Sequence, residues 1–322
     1  MIEDALSPVA DDLTELGQRL ASYVPAETDS AKAVLNHIFG VGGKRIRPAL
    51  YFMSCRLLGY RGEHYFPIAA VAEFVHTASL LHDDVVDDST LRRGKPTANS
   101  IYGDETAVLV GDLIYSTASE MMAATGNMEV VRTFARAIRL MSEGELLQLE
   151  NVFNADIAEA TYLRVLECKT AVLIEAACKS AGLLAGVPAA ELDLLVRFGH
   201  GVGMAFQLID DALDYTGSAA LVGKATQADL AEGKVTLPVI LLREHATPAE
   251  LMKIQQVLAA EASDEGAAAV ARLVDKYDTA NLTVERAHRY TLGAMNALRT
   301  FPATYERDIL ENLANKLLFR FV

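Results

Sequence analysis

Cysteine is scarce in this chain of 322 residues: Cys55, Cys168 and Cys178 are the only three. Their wide spacing and odd number speak against a disulfide framework or a structural zinc site, and fit a reducing cytoplasm with free thiols. A basic surplus is missing too. The net charge of −14 argues against general nucleic-acid binding, which needs a positive footprint. No Pro/Gly/Ser-rich linker divides the chain, so residues 1–322 read as one domain, long enough to bury about three quarters of its unfolded surface. No low-complexity tract occurs. No membrane span is expected, because the most apolar stretch, 171–187, is interrupted by Glu175 and Lys179 and falls short of spanning length. Met1 to Asp12 carries several acids and no basic start, unlike a signal peptide. Finally, no Ser/His/Asp or Cys/His arrangement offers a protein nucleophile.

What is present is helical pattern. Apolar residues recur with a helical period nearly throughout, without the two-residue alternation a strand would need. The expectation is an all-α fold, about a dozen helices in one large bundle. Breaks fall at Pro25, at the Gly40 to Pro48 loop, at Gly59 to Gly62, at the Arg92 to Pro96 loop, near Gly126, around Gly186 to Pro188, and from Gly217 to Lys234. Thr247-Pro248-Ala249-Glu250 reads as a capping box with proline at the first helical position.

Two aspartate clusters stand out, Asp83-Asp84-Val85-Val86-Asp87 and Asp210-Asp211-Ala212-Leu213-Asp214, each following a largely apolar run. They end long helices predicted from roughly Tyr65 to Asp87 and Ala189 to Tyr215. Acids four apart project from one helix face, so Asp83 with Asp87 and Asp210 with Asp214 are two-pronged oxygen ligands flanked by Asp84 and Asp211. At ~5 Å and an effective dielectric of ~20, each like-charge pair costs roughly 3 kcal/mol before screening. A hard divalent cation offsets that cost, and Mg²⁺ prefers one or two carboxylates plus water and phosphate oxygens. A single such cluster reads equally well as a solvated helix end. The repetition favours a metal and diphosphate site.

Basic residues accompany the acids. Leu91-Arg92-Arg93-Gly94-Lys95-Pro96 places adjacent guanidinium groups just after the first cluster, and arginine forks suit phosphate oxygens. Gly42-Gly43-Lys44-Arg45-Ile46-Arg47-Pro48 is a glycine-opened basic loop, while Gly223-Lys224 and Gly233-Lys234 follow the second cluster. Each Gly-Lys pair alone also suits an ordinary helix end.

These motifs, together with Glu143-Gly144-Glu145 and Gln148, Lys169-Thr170, the run from Phe206 to Tyr215, Asp229-Leu230 and Thr236-Leu237-Pro238, resemble the trans-polyprenyl diphosphate synthases in order and spacing. The motif-dense part spans residues 42–238. Within the family the likeness is to the bacterial long-chain, octaprenyl type that makes quinone side chains. The resemblance implies the isoprenoid synthase fold with its central cavity, and a Mg²⁺-dependent condensation of isopentenyl diphosphate with an allylic diphosphate primer. The two clusters would act as facing jaws. Metal ions bridging them to the allylic diphosphate would neutralise charge as the carbon–oxygen bond breaks, leaving an allylic cation that the isopentenyl double bond attacks. It assigns Asp83, Asp87 and Asp210 as metal ligands and Asp84, Asp211 and Asp214 as catalytic carboxylates. Lys44, Arg47, His76 and Arg93 would hold isopentenyl diphosphate. Arg92, Lys169, Thr170, Gln207, Lys224 and Lys234 would hold the allylic diphosphate. His76 precedes Asp83 by two helical turns, as Gln207 precedes Asp214, and so lies on nearly the same face. Phe206 suits a pocket wall or a plain core position.

Product length in the family depends on what lies beneath the first cluster, and short-product members tend to place an aromatic floor there. Ala78 and Ser79 are small, which implies an open tunnel and a long product: octaprenyl, or else nonaprenyl or decaprenyl. Close helix packing explains small residues equally well. A farnesyl- or geranylgeranyl-length synthase, a terpene cyclase, a non-catalytic subunit of a heteromeric synthase and a purely structural helical protein, which would have no use for clustered acids facing clustered bases, are the other readings. A cyclase usually mixes Asn, Ser or Thr into its second motif, and non-catalytic partners commonly lose aspartates that are intact here. Asp88 stands where glutamate is common, and Arg320 is the sole basic residue of the terminal Phe319-Arg320-Phe321-Val322. A cytoplasmic homodimer is the family expectation.

Overall fold

The computed structural model describes residues 6–40, 43, 45–92, 94–216, 228–260 and 263–318. Among them the chain is helical almost throughout. After a short turn at Ser7–Val9 come α1 (Ala10–Tyr23), α2 (Asp29–Gly40), α3 (Ile46–Leu57) and α4 (Tyr65–Val86). A small hairpin, β1 (Leu91–Arg92) with β2 (Lys95–Pro96), leads to α5 (Ala98–Tyr102), α6 (Asp104–Ala124), α7 (Met128–Leu149) and α8 (Glu159–Leu166). A π-helical segment, Glu167–Ala171, joins α8 to α9 (Val172–Ala185). Then follow α10 (Ala189–Thr216), α11 (Ala228–Ala231), α12 (Leu237–His245), α13 (Pro248–Ala259), α14 (Asp264–Lys276), α15 (Thr279–Leu298) and α16 (Tyr305–Leu318).

Two expectations need correction. The stretch 92–96 is not a plain loop: Leu91 pairs with Pro96 and Arg92 with Lys95 in an antiparallel register, turned by Gly94 at φ 73°. Two-residue strands are too short to show alternation in the sequence. The helices also exceed a dozen, partly because α11 forms inside the stretch 217–234 read as a break. Among the described residues no helix is long and apolar enough to cross a membrane.

Packing divides the chain into two compact units. The first comprises 1–138, 173–199 and 297–313. Its central element is α4, buried through Ile68, Ala69, Ala70, Val71, Ala72, Phe74, Val75 and Ala78, while Glu73, His76 and Asp83 form a half-buried polar stripe along one face. It packs lengthwise on α6, where the His82 imidazole fills the space a side chain at Gly111 would need. The N-terminal helix is tied in by Asp12, buried and bonded to Arg56 (2.8 Å), Arg61 (3.0 Å) and the Tyr65 hydroxyl (3.0 Å).

The second unit comprises 139–172, 200–296 and 314–322. Its core joins Leu208 and Ile209 of α10 to Leu237 and Leu242 of α12, Ile254 and Leu258 of α13, and Val270 and Val274 of α14. The capping box at Thr247 forms as expected, with Glu250 Oε2 accepting the Thr247 N–H at 2.9 Å. The same carboxylate accepts from Lys276 (2.7 Å) and the Tyr277 hydroxyl (2.8 Å), which hold it well below the usual carboxylate range and link α13 to the end of α14.

Candidate functional site

In the first unit the aspartates occupy the last turn of α4. The helix stops in a Schellman arrangement: Asp88 takes the left-handed conformation (φ 48°), its N–H meets Val85 O, and the Ser89 N–H meets Asp84 O at 2.8 Å. Aspartate there, instead of glycine, costs about 1 kcal/mol. Asp83 is half-buried, Asp84 buried and Asp87 exposed. All three lie at the negative end of the helix dipole, where carboxylates are unfavourable and cations favourable. Arg92 answers that need: its Nε and Nη2 both lie 2.8 Å from Asp84 Oδ1. Thr97 Oγ1 donates to Ser89 O (2.7 Å) and Asn99 Nδ2 to Asp84 O (3.3 Å), fixing the hairpin against the helix end. Burial, and then Asp83 and Asp112, push the Tyr115 phenol up to about 12.

Elsewhere in this unit, Arg47 is half-buried in the first turn of α3 and His76 half-buried on α4. Ala78 is fully buried, and the Ser79 hydroxyl donates to His76 O at 2.9 Å. Arg45, which the sequence did not single out, adopts the left-handed conformation at φ 45°. Its guanidinium donates to Leu13 O (3.0 Å) and fills the space over Gly17, so the basic loop is anchored on α1. Lys44, Arg93 and Lys224 lie outside the described residues, as does Arg320.

In the second unit the other cluster ends α10. Asp210 is half-buried, whereas Asp211 and Asp214 are buried. Asp211 receives Tyr162 Oη at 2.6 Å on one oxygen and Gln207 Nε2 at 2.8 Å on the other. Burial pushes its carboxyl up to about 6, opposed by those two hydrogen bonds and reinforced by Asp210 and Asp214. Asp214 accepts the Asp229 N–H at 3.2 Å, which brings the later Asp229-Leu230 motif onto the cluster.

Lys169 and Thr170 ride on the π-helical segment, a distortion that recurs at functional sites. Thr170 Oγ1 donates to Gln207 Oε1 at 2.9 Å. Lys169 pairs with Glu145 and donates to Gln148 Oε1 at 3.1 Å. Thus the Glu143 to Gln148 motif of α7 acquires a place: it holds this lysine. Two glycines permit that approach. A Cβ on Gly144 would sit 2.6 Å from Cys168 Cβ, and one on Gly203 would sit 2.5 Å from Ala171 Cα. Lys234 is half-buried beside Glu232 (2.6 Å), behind Gly233 in a left-handed turn whose carbonyl accepts the Phe153 N–H.

Both clusters offer carboxylate oxygen, and among the described residues no three His, Cys, Asp or Glu side chains converge on one point. Such donors fit a hard divalent ion that completes its sphere from water and phosphate, in contrast to the closed cage of a structural zinc. Tyr162 and Glu145 are the residues whose roles sequence reasoning missed. Tyr162 stands seven residues before Lys169, a helical repeat that is common anywhere in an α protein.

Residues 28–275 match the polyprenyl synthetase family model. The chain is 39% identical over 306 residues to octaprenyl diphosphate synthase of Escherichia coli K12, covering 95% of each. The crystal structure of a decaprenyl diphosphate synthase from Rhodobacter capsulatus superimposes with a TM-score of 0.94 at 36% identity, over 100% of both chains. A polyprenyl synthase from Caulobacter crescentus CB15, complexed with calcium and isoprenyl diphosphate, superimposes with a TM-score of 0.93 at 35% identity, over 99% of this chain and 97% of that one.

Proposed function

This chain belongs to the polyprenyl synthetase family, and from that premise we propose that it condenses isopentenyl diphosphate with an allylic diphosphate into a long-chain all-trans polyprenyl diphosphate. Octaprenyl is the product this reading favours, for a quinone side chain, with Mg²⁺ as the metal. The observation that carries it is the pair of aspartate clusters, each ending a long helix, in a chain similar over nearly its whole length to octaprenyl and decaprenyl synthases.

Asp83, Asp87 and Asp210 are the proposed metal ligands, being the less buried members of their clusters. Bound magnesium supplies positive charge that makes pyrophosphate a better leaving group. Asp84, Asp211 and Asp214 are the proposed catalytic carboxylates, each already held by a donor: Arg92, Tyr162 with Gln207, and the Asp229 amide. Lys169, Thr170, Gln207 and Lys234 are the proposed contacts for the allylic diphosphate, with Arg92, and Arg47 and His76 those for isopentenyl diphosphate. Lys44 and Arg93 are assigned to the isopentenyl group and Lys224 to the allylic group on the motif alone. On this reading Lys169 leaves Glu145 to meet phosphate, exchanging one anionic partner for another, so its desolvation changes little. A cytoplasmic homodimer completes the reading.

Incubating the purified chain with Mg²⁺, isopentenyl diphosphate and an allylic primer tests it. Elongation to a long all-trans chain is the expected result; cyclisation or inertness overturns it.

A further inference from the structure

One buried hydroxyl reaches the second aspartate cluster without belonging to any of the motifs above. Tyr162 is 4% exposed, and its ring sits in the apolar core with Ile157, Leu166 and Leu208. Its hydroxyl lies 2.6 Å from Asp211 Oδ2. An ionised carboxylate only accepts, so the phenol donates. The other oxygen, Oδ1, takes the Gln207 amide, whose own carbonyl takes Thr170. The hydrogen bonds therefore run one way, from Thr170 through Gln207 to Asp211, and are met there from the opposite oxygen by Tyr162. With both oxygens engaged, the plane of the carboxylate is set by donors on α8 and α10.

We propose that Tyr162 is a positioning residue for the reaction: its hydrogen bond fixes the orientation of Asp211 and thereby the shape of the cluster that receives the metal-bound diphosphate. The inference rests on the proposed function of that cluster. Burial keeps the phenol well above its ordinary titration range, so it stays a donor at neutral pH. Asp211 adjoins Asp210, a proposed metal ligand, and shares its helix turn; removing a partner that orients the groups around a metal costs about 10- to 100-fold in affinity or activity.

Tyr162→Phe keeps the ring and removes only the hydroxyl, separating orientation from core filling. Binding of magnesium pyrophosphate, measured by titration calorimetry, weakens about 10- to 100-fold, and the Mg²⁺ needed for half-maximal elongation rises in step, while KM for isopentenyl diphosphate is unchanged. Unchanged pyrophosphate affinity in a folded variant overturns the proposal, as does an equal rise in KM for isopentenyl diphosphate. If the single variant does not fold, Asp211→Asn supplies a background without the buried charge. There the added Tyr162→Phe has little further effect on binding, and a further loss of about 10-fold or more overturns the proposal. Calorimetry reads out whether or not the wild type elongates, so failure of the elongation assay refutes the proposed function separately from this one.

Discussion

Arg92 contacts Asp84 through two nitrogens at once, its Nε and Nη2 each 2.8 Å from the same carboxylate oxygen. The pair ties the hairpin to the end of α4 and satisfies the most buried acid of the first cluster. Arg92→Ala therefore leaves Asp84 buried without its charge partner, at a cost of about 1–3 kcal/mol. Denaturant unfolding should show that loss. Elongation should fall further than stability does, and a fully active variant would sever Arg92 from the site.

Asp83→Ala and Asp210→Ala each remove a half-buried carboxylate from the negative end of a helix. Relieving like-charge repulsion there should leave the metal-free melting temperature unchanged or raised. Turnover should nonetheless drop by about 10²-fold or more. A matched assay of melting and elongation distinguishes this from simple unfolding.

Gly144→Ala places a methyl group 2.6 Å from Cys168 Cβ and 3.2 Å from Lys169 Cγ. The π-helical segment must shift, at a cost of about 1–3 kcal/mol. KM for the allylic diphosphate should rise while that for isopentenyl diphosphate holds, because the displaced residues are Lys169 and Thr170. Equal change in both constants would count against this assignment.

Ala78→Tyr adds a large ring at a fully buried position on α4, five residues before Asp83. Under the proposed function the growing chain passes there, so chromatography of the products should show shorter prenyl chains. An unchanged length would place the hydrocarbon path elsewhere.

Glu250 provides a pH-dependent link between α13 and α14. Its carboxyl is held below the ordinary range by Lys276 first and then by Thr247 and Tyr277, so its contribution is present above the unfolded carboxylate pKa and is lost as pH falls through the depressed value. Glu250→Gln should melt below the wild type at pH 7. Under strong acid the gap should close, and a gap independent of pH would show that charge is not involved.

Helical class, the two long helices ending in aspartates, and the capping box at Thr247 were all legible from local rules, since period, caps and breakers act within a few residues. The hairpin at 91–96 and the helix Ala228–Ala231 were not, being too short to carry a period. Within the candidate site the family resemblance named Lys169, Thr170 and Gln207 as diphosphate contacts and Asp211 as a catalytic carboxylate, but not that they touch one another. Gln207 and Asp211 are four apart on one helix, a pair that periodicity does place together, whereas the bond from Thr170 to Gln207 joins elements 37 residues apart, about which periodicity carries no information.

The proposed chemistry was already written in the chain itself: aspartates four apart on a helix put two carboxylates on one face, and their repetition beside flanking cations is what suggested a divalent ion and a phosphate. Which acids are sealed and which remain open to solvent was decided by tertiary packing alone. Asp84 is closed by Arg92 of the hairpin and Asp211 by Tyr162 of α8 because those elements approach closely enough to dehydrate them, and a dehydrated carboxylate must find a donor. The donor that packing supplied to Asp211 was a tyrosine 49 residues away, which no reading of spacing could select.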